Sequence, residues 1–169
     1  MLKFFKHYYV LTFYLNLAMP QQKNDLPFWK KKSLAELSKD EWESLCDCCG
    51  MCCLRKVEYE DTGEVYYTDI ACKYLDEKTC QCREYERSAS LVSDCLKLSP
   101  KDVKGFFWLP KTCAYRLVAE GRDLEKWHVL LSSDSDSVHK AGISVRNRVV
   151  KDESVSEDEM EDHIIDWVS

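Results

Sequence analysis

The sequence predicts a small, irregular α+β fold in which short helices and one β-hairpin are organised around a knot of cysteines. Three observations predict it. Five thiols fall within the eight residues Cys46-Asp47-Cys48-Cys49-Gly50-Met51-Cys52-Cys53, and five more follow at Cys72, Cys80, Cys82, Cys95 and Cys113. Helix-start signals at Ser33, Ser38, Ser99 and Thr112 open helices that breakers such as Gly105 and Gly121 keep short. Two segments rich in Val and Tyr flank Glu60-Asp61-Thr62-Gly63, a hairpin loop. A chain of 169 residues suits one domain, long enough to bury a core and short enough for a staple to matter.

Residues 1–24 are expected to be a disordered leader or, with translation beginning at Met19 in place of Met1, a mis-assigned start. Lys3 and Lys6 precede an apolar run from Tyr8 to Ala18, but Thr12 and Asn16 interrupt it and no small-x-small cleavage site follows. The run is also shorter than the roughly 20 apolar residues a bilayer span needs. Residues 25–169 are expected to form the single cysteine-cluster domain, with an acidic tail.

In that domain Gln21 to Lys32 reads as an extended arm whose Phe28-Trp29 pair docks on the body. Ser33-Leu34-Ala35-Glu36 and Ser38-Lys39-Asp40-Glu41 both fit the capping box, and the second opens a helix that delivers Cys46 into the knot. Gly50 can take positive φ and fold the loop back. Leu54 to Tyr59 and Glu64 to Asp69 form the hairpin that carries the chain from Cys53 to Cys72. A short helix is expected around 83–87, and another from Ser99-Pro100 that Gly105 stops. Thr112 is expected to cap a helix from Cys113 to Glu120 ending at Gly121, followed by a helix over 124–131, a loop over 132–137 and a half-exposed strand over 143–150. Ile164-Ile165-Asp166-Trp167-Val168 is apolar enough to dock back on the body.

The net charge of −6 argues against nucleic acid as a partner, because phosphate binding relies on a clustered surplus of Lys and Arg. The acidity belongs to the tail, where eight acids face one lysine from Lys151 onward. No membrane partner is expected, and no Ser-His-Asp set, phosphate-binding glycine loop or paired-carboxylate site marks the chain as an enzyme.

Dense thiols are poorly explained by packing, since core cysteines scatter singly along apolar faces. Adjacent cysteines are awkward disulfide partners for one another, whereas Cys-x-x-Cys spacing lets two thiolates face one ion. A cysteine-ligated metal centre follows. Cys46, Cys49 and Cys52 form a Cys-x-x-Cys-x-x-Cys series that suits zinc, and the same spacing opens the bacterial ferredoxin run, so iron or an iron–sulfur cluster fits it too. Two features differ from ferredoxins: Cys53 follows with no spacer, and no proline follows the last cysteine. Cys52 and Cys53 are expected to face different ions, or different irons of one cluster.

The run Cys46-x-x-Cys49-x-x-Cys52-Cys53, then Cys72, Cys82-Arg83-Glu84-Tyr85-Glu86-Arg87 and Cys95, resembles the bacterial CxxCxxCC zinc- or iron-chelating family. Pro27-Phe28-Trp29, the blocks 40–46, 108–116 and 138–146, and Ile165-Asp166-Trp167 make it most similar to the YcgN-type branch, over about residues 25 to 168. The resemblance implies that Cys46, Cys49, Cys52, Cys53, Cys72, Cys82 and Cys95 are metal ligands, with Cys80 and Cys113 typical of the branch and Cys80 included in the expected set. It implies a bacterial cytoplasmic setting and no established reaction. Cys48 stands where the branch usually has glycine, so it is read as an extra thiol.

His128 reads as a packing histidine and His139 as part of a charged surface with Lys140 and Arg146. Glu84, Glu86 and Arg87 and the Tyr115-Arg116 pair read as ordinary ion-pair neighbourhoods. The functional expectation is a cysteine-cluster metal-binding protein holding zinc or iron. The alternatives are an iron–sulfur enzyme or electron carrier, and a redox- or metal-sensing interaction module.

Overall fold

In the computed structural model the described residues are 26–93, 95 and 97–168, so the leader expected over 1–24 lies outside them. Local capping sets where the chain first turns. Pro27, with φ pinned at −62°, precedes α1 (Phe28–Lys31), and its carbonyl accepts from Lys30 N at 3.0 Å, so a helical turn takes the place of extended chain over 28–31 of the expected arm, whose residues 21–25 lie outside the described ones. Phe28 and Trp29 meet edge to face at 5.0 Å and pack on the core, as expected of that pair. Both capping boxes form: Ser33 with Glu36 around a 3-10 turn (Leu34–Glu36), and Ser38 with Glu41 at the start of α2 (Lys39–Ser44).

The hairpin consists of β1 (Leu54–Tyr59) and β2 (Glu64–Ala71), antiparallel, with Tyr59 opposite Glu64 and Leu54 opposite Ala71. A register shift between Leu54 and Lys56 kinks β1 where it leaves the cysteine loop. β3 (Val150–Lys151) adds in parallel to β2, beside Ile70 and Ala71. The strand expected over 143–150 is therefore cut to its last residue and one beyond. Val145 turns inward to donate its N–H to Cys49 O at 2.9 Å, and Asn147 takes φ +59°, which no strand accommodates.

Four helical expectations also shift. A 3-10 turn (Tyr85–Arg87) leads into α3 (Ser88–Leu91), just beyond the expected 83–87. The helix begun by Ser99 runs as 3-10 through Gly105 to Trp108, because burial of Phe106 outweighs a glycine cost of about 1 kcal/mol. α4 (Ala114–Ala119) is preceded by Cys113 at the capping position, with no side-chain cap, in place of Thr112. It stops at Gly121, which takes φ +69° as expected. α5 (Val129–Ser132) is shorter than 124–131, because His128 Nδ1 accepts from Leu130 N–H and sets the helix start there. α6 (Ser137–Lys140) follows the polar loop.

Two apolar cores result. One joins α2, the 100–108 segment and α4 through Leu34, Trp42, Leu45, Phe106, Leu109, Ala114, Tyr115 and Leu124. The other joins the cysteine loop to the hairpin through Cys49, Met51, Leu54, Tyr67, Ala71, Leu75, Cys80, Val138 and Val145. The C-terminal segment docks on the second core: Ile164 bridges Thr68, Ile165 N donates to Tyr67 O at 2.9 Å, and the Trp167 ring lies 3.6 Å from the Arg148 guanidinium. Among the described residues no helix is long and apolar enough to cross a membrane.

Candidate metal centre

The cysteine loop begins where α2 ends and is curled by two residues in the left-handed region, Cys48 at φ +58° and Gly50 at φ +79°. Gly50 O then accepts from Cys53 N at 3.0 Å, closing a 3-10 turn over Met51–Cys53. A Cβ on Gly50 would stand 2.7 Å from Val145 Cγ2 and 3.2 Å from Cys80 Cβ, so this position requires glycine twice over, by conformation and by space. Cys48 has no such relief. A left-handed backbone costs an L-residue about 1–2 kcal/mol, so a glycine would sit here with less strain than Cys48.

All ten cysteines are free thiols. Cys46 and Cys48 hydrogen-bond to each other, and so do Cys52 and Cys53. Cys52 lies within electrostatic reach of Cys46, Cys49 and Cys113. Cys53 lies within electrostatic reach of Cys72 and Cys82, and Cys72 in turn of Cys82 and Cys95. The hairpin and the loop after it make this second neighbourhood: Cys72 N donates to Cys53 O at 3.0 Å, and Leu75 bridges Cys82. Of the seven cysteines the resemblance implies as ligands, Cys46, Cys49 and Cys52 are electrostatic neighbours of one another, and Cys53, Cys72, Cys82 and Cys95 form a second such group. The bonded Cys52–Cys53 pair is the seam. Cys80 stands apart, buried at φ +56° and hydrogen-bonded to Ser144. Among the described residues no three His, Cys, Asp or Glu side chains already converge at ion-binding distance, so these are neighbourhoods of donors and not assembled shells.

The electrostatics follow from the pairing. The Cys48 thiol is drawn down to about 6 by the hydrogen bond from Cys46, with help from Gln81 Nε2, which donates to its sulfur at 3.4 Å. Cys46, an exposed residue, is pushed up by the same bond and by the neighbouring Cys52 thiol. Cys52 is drawn down to about 7 by its bond from Cys53 and by the Lys56 ammonium, while Cys53 is pushed up by that bond and by the charge of Cys52. Burial pushes up Cys49, Cys72 and Cys80, and lifts Cys113 to about 12.

Two polar residues bear on the thiols that the sequence reading passed over. Lys56 Nζ donates to Cys52 O at 3.1 Å and Leu54 O at 2.7 Å, and sits 5.0 Å from the ring centroids of Tyr67 and Trp108. Its signal in sequence was a cation four residues past Cys52, in the Arg55-Lys56 pair. Asp47, 9% exposed, accepts from Cys49 N on Oδ1 at 2.9 Å, while its Oδ2 is buried with no hydrogen-bond partner. Its place between two cysteines of the run was the available signal.

The model of the CxxCxxCC family, described as "Putative zinc- or iron-chelating domain", matches residues 45–114, a span that holds all ten cysteines. The UPF0260 protein of Rhizobium leguminosarum bv. trifolii is 51% identical over 144 residues, 85% of this chain and 90% of the relative. Those of Ectopseudomonas mendocina and Marinobacter nauticus are 56% and 53% identical, covering 84% and 85% of this chain and 95% and 97% of theirs. The chain belongs to the UPF0260 family. No solved structure matches it.

The donor set of this UPF0260 chain fits a thiophilic divalent ion: soft thiolates on both sides of the seam, and a buried carboxylate oxygen with no partner beside them. The histidines do not join it. His128 is buried, with Nε2 3.1 Å from Leu45 O and Nδ1 accepting from Leu130 N, so both ring nitrogens are used in packing. His139 Nδ1 lies 2.6 Å from Ser144 Oγ, beside an Arg146–Asp136 ion pair of 2.7 Å. Arg116 pairs with Glu120 and Arg87 with Glu84, as ordinary ion pairs.

Proposed function

We propose that this UPF0260 protein holds zinc in a two-part thiolate centre. Cys46, Cys49 and Cys52 supply one ion, and Cys53, Cys72, Cys82 and Cys95 supply the other. Cys80 is left out of the proposed set because its thiol is engaged with Ser144. The observation that carries the reading is the division of the shared cysteines at Cys52–Cys53, which gives one side a complete set of four thiols. Four thiolates in tetrahedral array leave no open position, so bound zinc would act as a staple and not as a Lewis acid for substrate. The chain's own contribution is to aim the donors. Gly50 and Cys48 curl the loop, the hairpin returns Cys72 to Cys53, and Lys56 offsets thiolate charge at the seam.

Metal and sulfide analysis of protein purified without oxygen tests this. Colourless protein carrying about two zinc ions per chain is expected, one for each side of the seam, with the four-thiol side complete in protein donors and the three-thiol side needing one more. Brown protein with iron and acid-labile sulfide would replace zinc by a cluster on the same cysteines. Protein with neither metal, its thiols oxidised to disulfides, would end the chelating reading.

A further inference from the structure

A tetrahedral ion needs four donors, and the side of the seam formed by Cys46, Cys49 and Cys52 has three family-shared thiols. We propose that Asp47 is the fourth donor, through Oδ2, making this a three-sulfur, one-oxygen site distinct from its four-sulfur neighbour. The inference rests on the chelating reading above and adds a ligand that the cysteine pattern does not contain.

The argument is one of satisfaction. Asp47 is more than nine-tenths buried, and its Oδ1 is anchored on Cys49 N. Its Oδ2 is one of three side-chain polar atoms among the described residues that are buried without a partner. An unpaired carboxylate oxygen in the interior costs several kcal/mol unless something cationic meets it, and native folds rarely leave one so. The carboxylate acts electrostatically on Cys46, Cys48, Cys49, Cys52 and Cys113, so the groups around it are themselves prospective anions. Thiolates cannot compensate a carboxylate; a divalent cation shared among them compensates all four at once.

The other candidates for fourth donor are weaker. Cys48 sits on a left-handed backbone and its sulfur accepts from Gln81 Nε2, a contact the three proposed sulfur donors lack. Cys113 packs against the helical core. The second orphan carboxylate oxygen, Asp152 Oδ1 near Cys72, belongs to a half-buried residue lining a cavity shared with Arg55 and Lys73, on the side that already has four thiols.

Cobalt(II) titration of the oxygen-free full chain tests the assignment, reading stoichiometry, thiolate-to-cobalt charge-transfer intensity and the visible d–d bands. The variants are Asp47→Asn, Asp47→Glu, Cys48→Gly and Cys113→Ser. The Asp47→Asn protein is expected to keep one ion at wild-type affinity. It should lose the other, or bind it more weakly than the roughly 10–100-fold that removal of a merely orienting partner costs. Asp47→Glu retains the donor and should retain two ions with displaced d–d bands, which also serves if Asp47→Asn fails to fold. Cys48→Gly and Cys113→Ser should match wild type. If Asp47→Asn binds cobalt as wild type does, in number, affinity and spectrum, Asp47 is not a ligand while the chelating reading stands. If either cysteine variant instead loses the ion, that thiol is the fourth donor and the assignment fails. Wild type that binds no cobalt removes both readings together.

Discussion

The two cores of this protein solve the same problem with different materials. The helical core around Trp42, Phe106, Leu109 and Tyr115 is apolar, with Tyr115 OH donating to Trp42 O at 3.1 Å and Arg116 to Leu109 O at 2.6 Å, and among the described residues the one buried side-chain group without a partner at its edge is the neutral Trp29 indole N–H. The cysteine core is built on two left-handed residues in a loop of eight, with free thiols and an orphan carboxylate oxygen. The first is held by burial alone. The second leaves thiols and a carboxylate oxygen to be satisfied, and the proposed chelation rests on that difference.

If that comparison is right, the largest effect comes from the ion. Stripping it with a chelator should cost on the order of 10 kcal/mol, as in other structural zinc sites, and loss of hairpin amide protection should precede that of α4. Hydrogen exchange that melts both cores together would break the distinction. The same binding should expel protons, because Cys46, Cys49 and Cys53 are pushed above the ordinary thiol value and must ionise to ligate. Affinity should therefore rise with pH, about tenfold per unit for each proton released, a slope calorimetry in buffers of different ionisation heat can read.

Next in size is Phe106→Ala, which empties the helical core and should cost about 3–5 kcal/mol in denaturant melts while leaving metal stoichiometry intact. Loss of metal there would show the cores to be one. Gly50→Ala should cost about 2–3 kcal/mol, combining left-handed strain with the clash on Val145, and should lower metal content as well. Normal zinc in that variant would mean that the loop's curl does not aim the thiols. Cys48→Gly should have the smallest effect and the opposite sign, a gain of about 1 kcal/mol in thermal stability with metal retained. A destabilised or metal-free Cys48→Gly protein would make Cys48 a ligand after all.

Much of the donor chemistry was legible because it is local. Cys-x-x-Cys spacing, the capping boxes at Ser33 and Ser38, the hairpin between Tyr59 and Glu64 and the positive φ of Gly50 each depend on residues within a few positions. Where reach was longer, the reading slipped. Gly105 did not stop its helix because Phe106 is buried, and the alternation over 143–150 did not make a strand because Val145 N–H is bonded to Cys49 O.

What the sequence by itself determined is therefore the local kit: thiols in a curled loop and a hairpin to bring more. What only the tertiary structure decided is how those thiols are shared. Cys72 stands 19 positions from Cys53 in the chain yet bonds to its carbonyl. Asp47 looks like a spacer until its Oδ2 is found buried and unpaired. Spacing encodes which groups can meet along the backbone. Which polar atoms end with no water and no partner is settled only when distant segments close over them, because desolvation belongs to the packed whole.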